Sequence, residues 1–163
     1  MTKAILLSAL GPILIDGDDL HLRSIHILDG GEPMPAARDD DPSAPAPGSP
    51  VAEAVRQLSA YFSAGFTAFN VPLAPMATVR GEALRAAITG IPPGETLSYG
   101  AVAKAAGSSP RAIGQACARN PFPIVIPCHR VVGSGGAIGH YSAGRGTVTK
   151  TWLLDHERRG GLL

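Results

Sequence analysis

The sequence predicts an α+β protein in two parts. Residues 1–75 read as an N-terminal αβ domain with a small antiparallel sheet, and residues 76–163 as a mostly helical domain containing a helix-turn-helix. Three observations carry this. The early residues alternate apolar and polar at the two-residue period of strands, later segments recur at helical spacing, and Pro72 and Pro75 punctuate the boundary. A chain of 163 residues can bury a core as one domain or as two small ones, and a 45% hydrophobic content sets it apart from disordered chains.

Residues 4–28 give two or three short strands. Asp16-Gly17-Asp18-Asp19 supplies a turn, and Leu20 to Ile27 alternate. His21 and His26 fall within that pattern. With no cysteine or further ligand nearby they read as solvated strand residues, not as a metal site. The apolar N-terminal run is broken by Gly11-Pro12 and lacks a signal-cleavage region, so it reads as a strand pair and implies no membrane. Residues 30–50, rich in Pro, Ala, Gly and Asp, read as a long mobile loop. Val51, Ala54, Val55, Leu58, Tyr61 and Phe62 then share one face of a helix, and residues 66–73 read as another strand. The second domain opens with a helix over Val79–Thr89, closed by Gly90 and the Pro92-Pro93-Gly94 turn. There is no internal repeat.

Ala103, Gly107 and Ile113 carry helix-turn-helix spacing: a small residue for close packing, a glycine for the turn, an aliphatic residue to bury the second helix. Ser108 or Ser109 can cap that second helix, with Pro110 in its first turn. Any two short packed helices can satisfy this pattern, so DNA binding stays open on spacing alone. The second helix is mostly small residues, with Arg111, Gln115 and Arg119 its only long polar ones. That suits close, shape-based contact better than reading of base edges. The net charge of +1 neither favours nor excludes nucleic acid.

The chain has two cysteines, too few for a disulfide framework, which points to a reducing, cytoplasmic location. Cys128 follows the aliphatic run Ile124-Val125-Ile126 within Pro127-Cys128-His129-Arg130. A neighbouring histidine can ionise a thiol and make it nucleophilic, but in extended backbone the two side chains point apart. A bridging water or a local turn is then needed. A buried structural thiol fits the same residues.

Ile126-Pro-Cys-His-Arg-Val-Val132, together with Asn120 and the helix-turn-helix arginine, resembles the O-6-alkylguanine-DNA alkyltransferases, the methylated-DNA–protein-cysteine methyltransferases. The resemblance is strong over residues 91–157 and weak over residues 1–75. It implies that Cys128 accepts an alkyl group, that His129 takes its proton through a water, and that Glu157 orients the histidine. Asn120 would brace the turn around the active site, and Tyr99 would help rotate the nucleotide and bond the base. Arg111 would enter the duplex where the damaged base leaves, with Ala112 and Gly114 at the DNA surface. Tyr141, Ser142, Val131 and Pro123 would form the base pocket, with backbone near Cys128 and Val131 accepting hydrogen bonds from guanine. The implied partner is double-stranded DNA containing alkylated guanine, with alkylated thymine as a further substrate, no cofactor, no metal and no obligate protein partner.

The sequence departs from the family at Arg80 and Arg85, where an aromatic residue and a tryptophan are usual; this bears on packing between the domains, not on the chemistry. Cys117, on the recognition helix, reads as a packing residue. The alternatives are a non-catalytic module that binds alkylated DNA, a cysteine hydrolase and a transcriptional regulator. The first would be expected to lack the cysteine that this chain keeps.

Overall fold

The structure, a computed structural model, describes residues 1–31, 45–63, 66 and 68–159. It divides into two compact units, Met1–Ala74 and Pro75–Leu163.

In the first unit β1 (Thr2–Ser8), β2 (Gly11–Gly17) and β3 (Leu22–Ile27) form an antiparallel sheet in that order. Ser8 closes the first hairpin: its Oγ donates to the Gly11 carbonyl (2.8 Å) and accepts from the Leu10 amide (3.1 Å). Strand alternation buries Ile13 and Ile15. A register shift between Asp16 and Gly17 pairs Gly17 with Leu22 but Asp16 with Ser24, leaving Arg23 as the extra residue of a bulge. This is why β3 buries Leu22, Ile25 and Ile27 and not strictly alternate positions. A side chain at position 17 would push its neighbours aside, because a Cβ there would stand 2.8 Å from Val51 Cγ2 and 2.9 Å from the His21 carbonyl oxygen. Asp18 Oδ1 organises the following turn by accepting from the Leu20 and His21 amides. His26 is exposed and His21 half-buried.

Helix α1 (Pro50–Phe62) starts where its caps dictate. Ser49 accepts from the Ala52 amide, Pro50 occupies the first turn, and Glu53 lies at the positive end of the helix dipole. Its buried stripe, Val51, Ala54, Leu58 and Tyr61, packs on the sheet. Val55 and Phe62, expected on that stripe, are half-buried, and Gln57 is buried in their stead. The strand expected over residues 66–73 is not formed among the described residues. Leu73 alone bridges to Leu22. Pro72 has no N–H, and Gln57 takes both the amide and the carbonyl of Asn70, so no ladder can propagate. Phe66 and Phe69 pack on the Tyr61 ring instead, at 5.3 and 5.8 Å between centroids. Most of the loop expected over residues 30–50 lies outside the described residues.

In the second unit α2 (Val79–Thr89) is capped by Thr78 and buries Leu84 and Ile88. The short β4 (Leu97–Ser98) leads directly into α3 (Tyr99–Ala106), with the Ser98 hydroxyl capping it. Gly107 ends α3 in the left-handed region (φ 62°), which glycine adopts without strain. Ser109 then caps α4 (Pro110–Ala118), with Pro110 in its first turn. Ala103 and Ile113 are buried between these elements, so the helix-turn-helix forms as its spacing predicts. β5 (Val131–Val132) pairs in parallel with β4, and α5 (Thr147–Arg158) closes the unit. Among the described residues no helix is long and apolar enough to cross a membrane.

Candidate active site

The residues from Asn120 to Arg130 form a compact turn that presents one thiol. Asn120 organises it: its Oδ1 accepts from the Phe122 amide (2.9 Å), and its Nδ2 donates to the Ile126 carbonyl (3.0 Å) and to Cys128 Sγ (3.3 Å). The Ile124-Val125-Ile126 run bends sharply, with the Ile126 amide bonded back to the Phe122 carbonyl and Ile124 held at φ 74°. A left-handed conformation at a β-branched residue costs about 1–3 kcal/mol and survives only where its surroundings over-determine it. Cys128, His129 and Arg130 then form one 3-10 turn. This supplies the local turn that the Cys-His pair requires, since successive side chains leave such a turn about 120° apart and not on opposite faces.

Behind the thiol lies a buried ionic cluster. Glu157, wholly enclosed on α5, accepts from His129 Nε2 (2.6 Å), from Arg130 Nε and Nη2 (2.9 and 2.8 Å) and from the Gly94 amide (3.3 Å). Arg130 Nη1 donates to the Ile91 carbonyl (2.6 Å). Burial alone would raise the Glu157 pKa, but hydrogen bonds from His129 and Arg130 and the Arg130 charge outweigh it and hold the carboxyl well below its usual range. An ionised carboxylate only accepts, so His129 Nε2 carries the ring proton and Nδ1 carries the lone pair. Nδ1 has no protein partner among the described residues. Burial pushes the His129 pKa down against the pull of Glu157, so the ring is neutral and ready to take a proton.

Cys128 lines a cavity of about 130 Å³ together with Tyr99, Gly114, Cys117, Tyr141 and Ser142. Contact with the Cys117 thiol, followed by burial, pushes the Cys128 pKa well up, while Asn120 and Lys150 pull against them. The resting acceptor is therefore a thiol, not a thiolate. Burial also raises the Tyr99 and Tyr141 pKa values, so both phenols stay protonated, and the Tyr141 hydroxyl has no hydrogen-bond partner among the described residues. Arg111 is exposed in the first turn of α4, beside the small Ala112 and Gly114.

The family model of the 6-O-methylguanine DNA methyltransferase DNA-binding domain matches residues 81–159, which hold every one of these groups. A methylated-DNA–protein-cysteine methyltransferase of Methanosarcina acetivorans is 38% identical over 152 residues, covering 88% of this chain and 91% of that protein. The chain belongs to the methylated-DNA–protein-cysteine methyltransferase family. A mouse member is 37% identical over 96% of this chain and 81% of its own. The crystal structure of Mycobacterium tuberculosis OGT in complex with DNA superposes with a TM-score of 0.80 at 33% identity, over 99% of this chain and 96% of that one.

Within this member of the methyltransferase family, the structure gathers Cys128, His129, Glu157, Asn120, Tyr99, Gly114, Tyr141 and Ser142 at one place. Val131 and Pro123 are buried but do not wall the cavity; the Val131 carbonyl accepts from Lys150 Nζ at 2.7 Å. Arg80 bonds the Ser108 hydroxyl, and Arg85 lies over the Phe122 ring, 5.3 Å from its centroid, so both departures are accommodated inside the second unit.

Three residues escape a reading of the sequence. Arg130 and Lys150 are buried cations, and Cys117 faces the cavity where only packing was expected. One signal was present: Lys150 falls on the helical stripe of Leu153, Leu154 and Glu157, a position a solvated lysine avoids.

Proposed function

We propose that this protein repairs DNA by moving the alkyl group of O-6-alkylguanine onto Cys128 Sγ, once per molecule. The observation that carries this reading is the Cys128 thiol in a cavity wall, joined through the next residue to the buried His129–Glu157–Arg130 chain. The partner is duplex DNA containing alkylated guanine, with alkylated thymine as a second substrate of the same chemistry. The target oxygen is inaccessible in a stacked duplex, so the nucleotide must rotate out, at a cost of a few kcal/mol. The small residues of α4, Ala112 and Gly114 among them, let that helix seat closely in a groove, and Arg111 fills the gap in the stack.

The thiol proton passes to His129 Nδ1, directly or through a water, and Glu157 steadies the imidazolium. Asn120 Nδ2 and the buried Lys150 ammonium stabilise the thiolate. Sulfur attacks the alkyl carbon, the carbon–oxygen bond breaks, and guanine leaves as an anion towards the protonated Tyr99 hydroxyl. Tyr141 and Ser142 wall the base. The product is a thioether that water does not cleave, so the protein acts once. These side chains provide nucleophile, base and donors, so the step takes no cofactor, metal or partner protein. The site of action is the cytoplasm, whose reducing pool keeps both cysteines free.

The test is a titration of the full-length protein against a duplex bearing one O-6-methylguanine. One methyl group should leave the DNA per protein molecule, with none lost to Cys128→Ser. Binding without demethylation would replace this reading with that of a non-catalytic damage binder.

A further inference from the structure

No step of the proposed transfer uses Cys117, yet it is not packed away from the site. It stands near the C-terminal end of α4, half-buried, in the wall of the cavity that holds Cys128. The two thiols line the same cavity of about 130 Å³ from different elements, α4 and the 3-10 turn. They are the chain's only cysteines, and both are free. Two thiols that face one small cavity differ chemically from one buried thiol, because an oxidant can join them into a disulfide. They also differ from each other. Cys117 is the more exposed of the two, so it is the one that peroxide meets first.

We propose that Cys117 and Cys128 form a redox pair, which peroxide closes into an intramolecular disulfide that masks the acceptor and that thiols reopen. The Cys117 thiolate attacks one oxygen of hydrogen peroxide, the O–O bond breaks, and Cys117 becomes a sulfenic acid with loss of hydroxide. Cys128 sulfur then attacks the sulfenyl sulfur. The S–S bond forms, the S–O bond breaks, and the leaving hydroxide takes the Cys128 proton as water. In sum, two thiols and one peroxide give one disulfide and two waters. The crosslink itself follows from the placement of the two thiols; only its effect on alkyl transfer rests on the function proposed above.

The experiment exposes the reduced, full-length protein to hydrogen peroxide, blocks remaining thiols with iodoacetamide in denaturant, and digests it with trypsin without reduction. Cleavage after Arg111, Arg119 and Arg130 places Cys117 and Cys128 on separate peptides, 112–119 and 120–130. The expected result is these two peptides joined in monomeric protein, loss of both free thiols, and loss of methyl acceptance, all reversed by dithiothreitol. Cys117→Ser should give no joined peptide and keep a free Cys128 thiol at the same exposure. The proposal is overturned if Cys117 is oxidised while Cys128 stays free, if the link appears only between molecules, or if neither thiol reacts. A crosslink in a protein that never accepts methyl groups would sink the repair reading and leave this one standing.

Discussion

Glu157→Gln should separate DNA binding from alkyl transfer. In the native site the carboxylate receives His129 Nε2 at 2.6 Å and the Arg130 guanidinium at 2.8 and 2.9 Å. A glutamine that keeps its oxygen on Arg130 Nε turns its amide NH₂ towards both His129 Nε2 and Arg130 Nη2, and it no longer neutralises the guanidinium. Nε2 must then accept, the ring proton moves to Nδ1, and the lone pair that takes the thiol proton is gone. A positioned general base contributes about 10²–10⁴-fold to rate, so single-turnover transfer should fall by that factor. DNA affinity should hold, because Glu157 is fully buried while Arg111 is exposed on α4. Glu157→Ala goes further, because it leaves the buried Arg130 with neither a counter-charge nor an acceptor there, which costs about 3–5 kcal/mol from a total of roughly 5–15. At roughly 2–4 °C per kcal/mol, Tm should drop by about 6–20 °C. Rapid-quench transfer from an O-6-methylguanine duplex, anisotropy binding and circular dichroism melts measure the three quantities. A folded Glu157→Gln protein that transfers at the parental rate would refute the assignment of the His129 tautomer.

Acid should destabilise the fold in two stages. The His129 pKa is lowered below its ordinary 6.5, so the unfolded chain takes a proton first and stability falls as pH drops below that value. The Glu157 pKa is also lowered, so its contribution is intact above the ordinary 4.5 and is lost as pH falls below it. Urea midpoints measured from pH 8 to pH 3 would show both limbs. Lys150→Met removes the donor to the Val131 and His140 carbonyls, at about 1–3 kcal/mol for a buried acceptor left unpaired. It should lower the urea midpoint, slow transfer and move the pH–rate profile to higher pH, because the thiolate loses a neighbouring cation. Gly17→Ala should cost about 1–3 kcal/mol by overpacking against Val51 and His21, lowering Tm without changing DNA affinity.

The helix-turn-helix was legible because its determinants are local. Ser98, Gly107, Ser109 and Pro110 set caps and a turn within a few residues of one another, and Ala103 and Ile113 need only a neighbouring helix to bury them. The acceptor turn was legible as a motif, but its geometry was not. Nothing in Cys-His-Arg states that Arg130 turns inward, because its partners, Ile91 and Glu157, are distant in sequence. Lys150 was hidden for the same reason: its acceptors are carbonyls of Val131 and His140, which composition cannot reveal. The strand expected over residues 66–73 failed on hydrogen bonding and not on hydrophobicity. Its apolar residues are present, but Gln57 and Pro72 remove the groups a ladder would use. Cys117 looked like packing because the rest of α4 is small, and only the fold shows what stands opposite it.

The most direct measurement is peptide mass spectrometry of the protein after incubation with duplex DNA containing O-6-methylguanine. One methyl group on peptide 120–130, placed on Cys128 by fragmentation and absent from Cys128→Ala, is the expected result. A methyl group on Cys117 would contradict the assignment of the acceptor. Demethylated DNA with no modified peptide would contradict direct transfer to the protein.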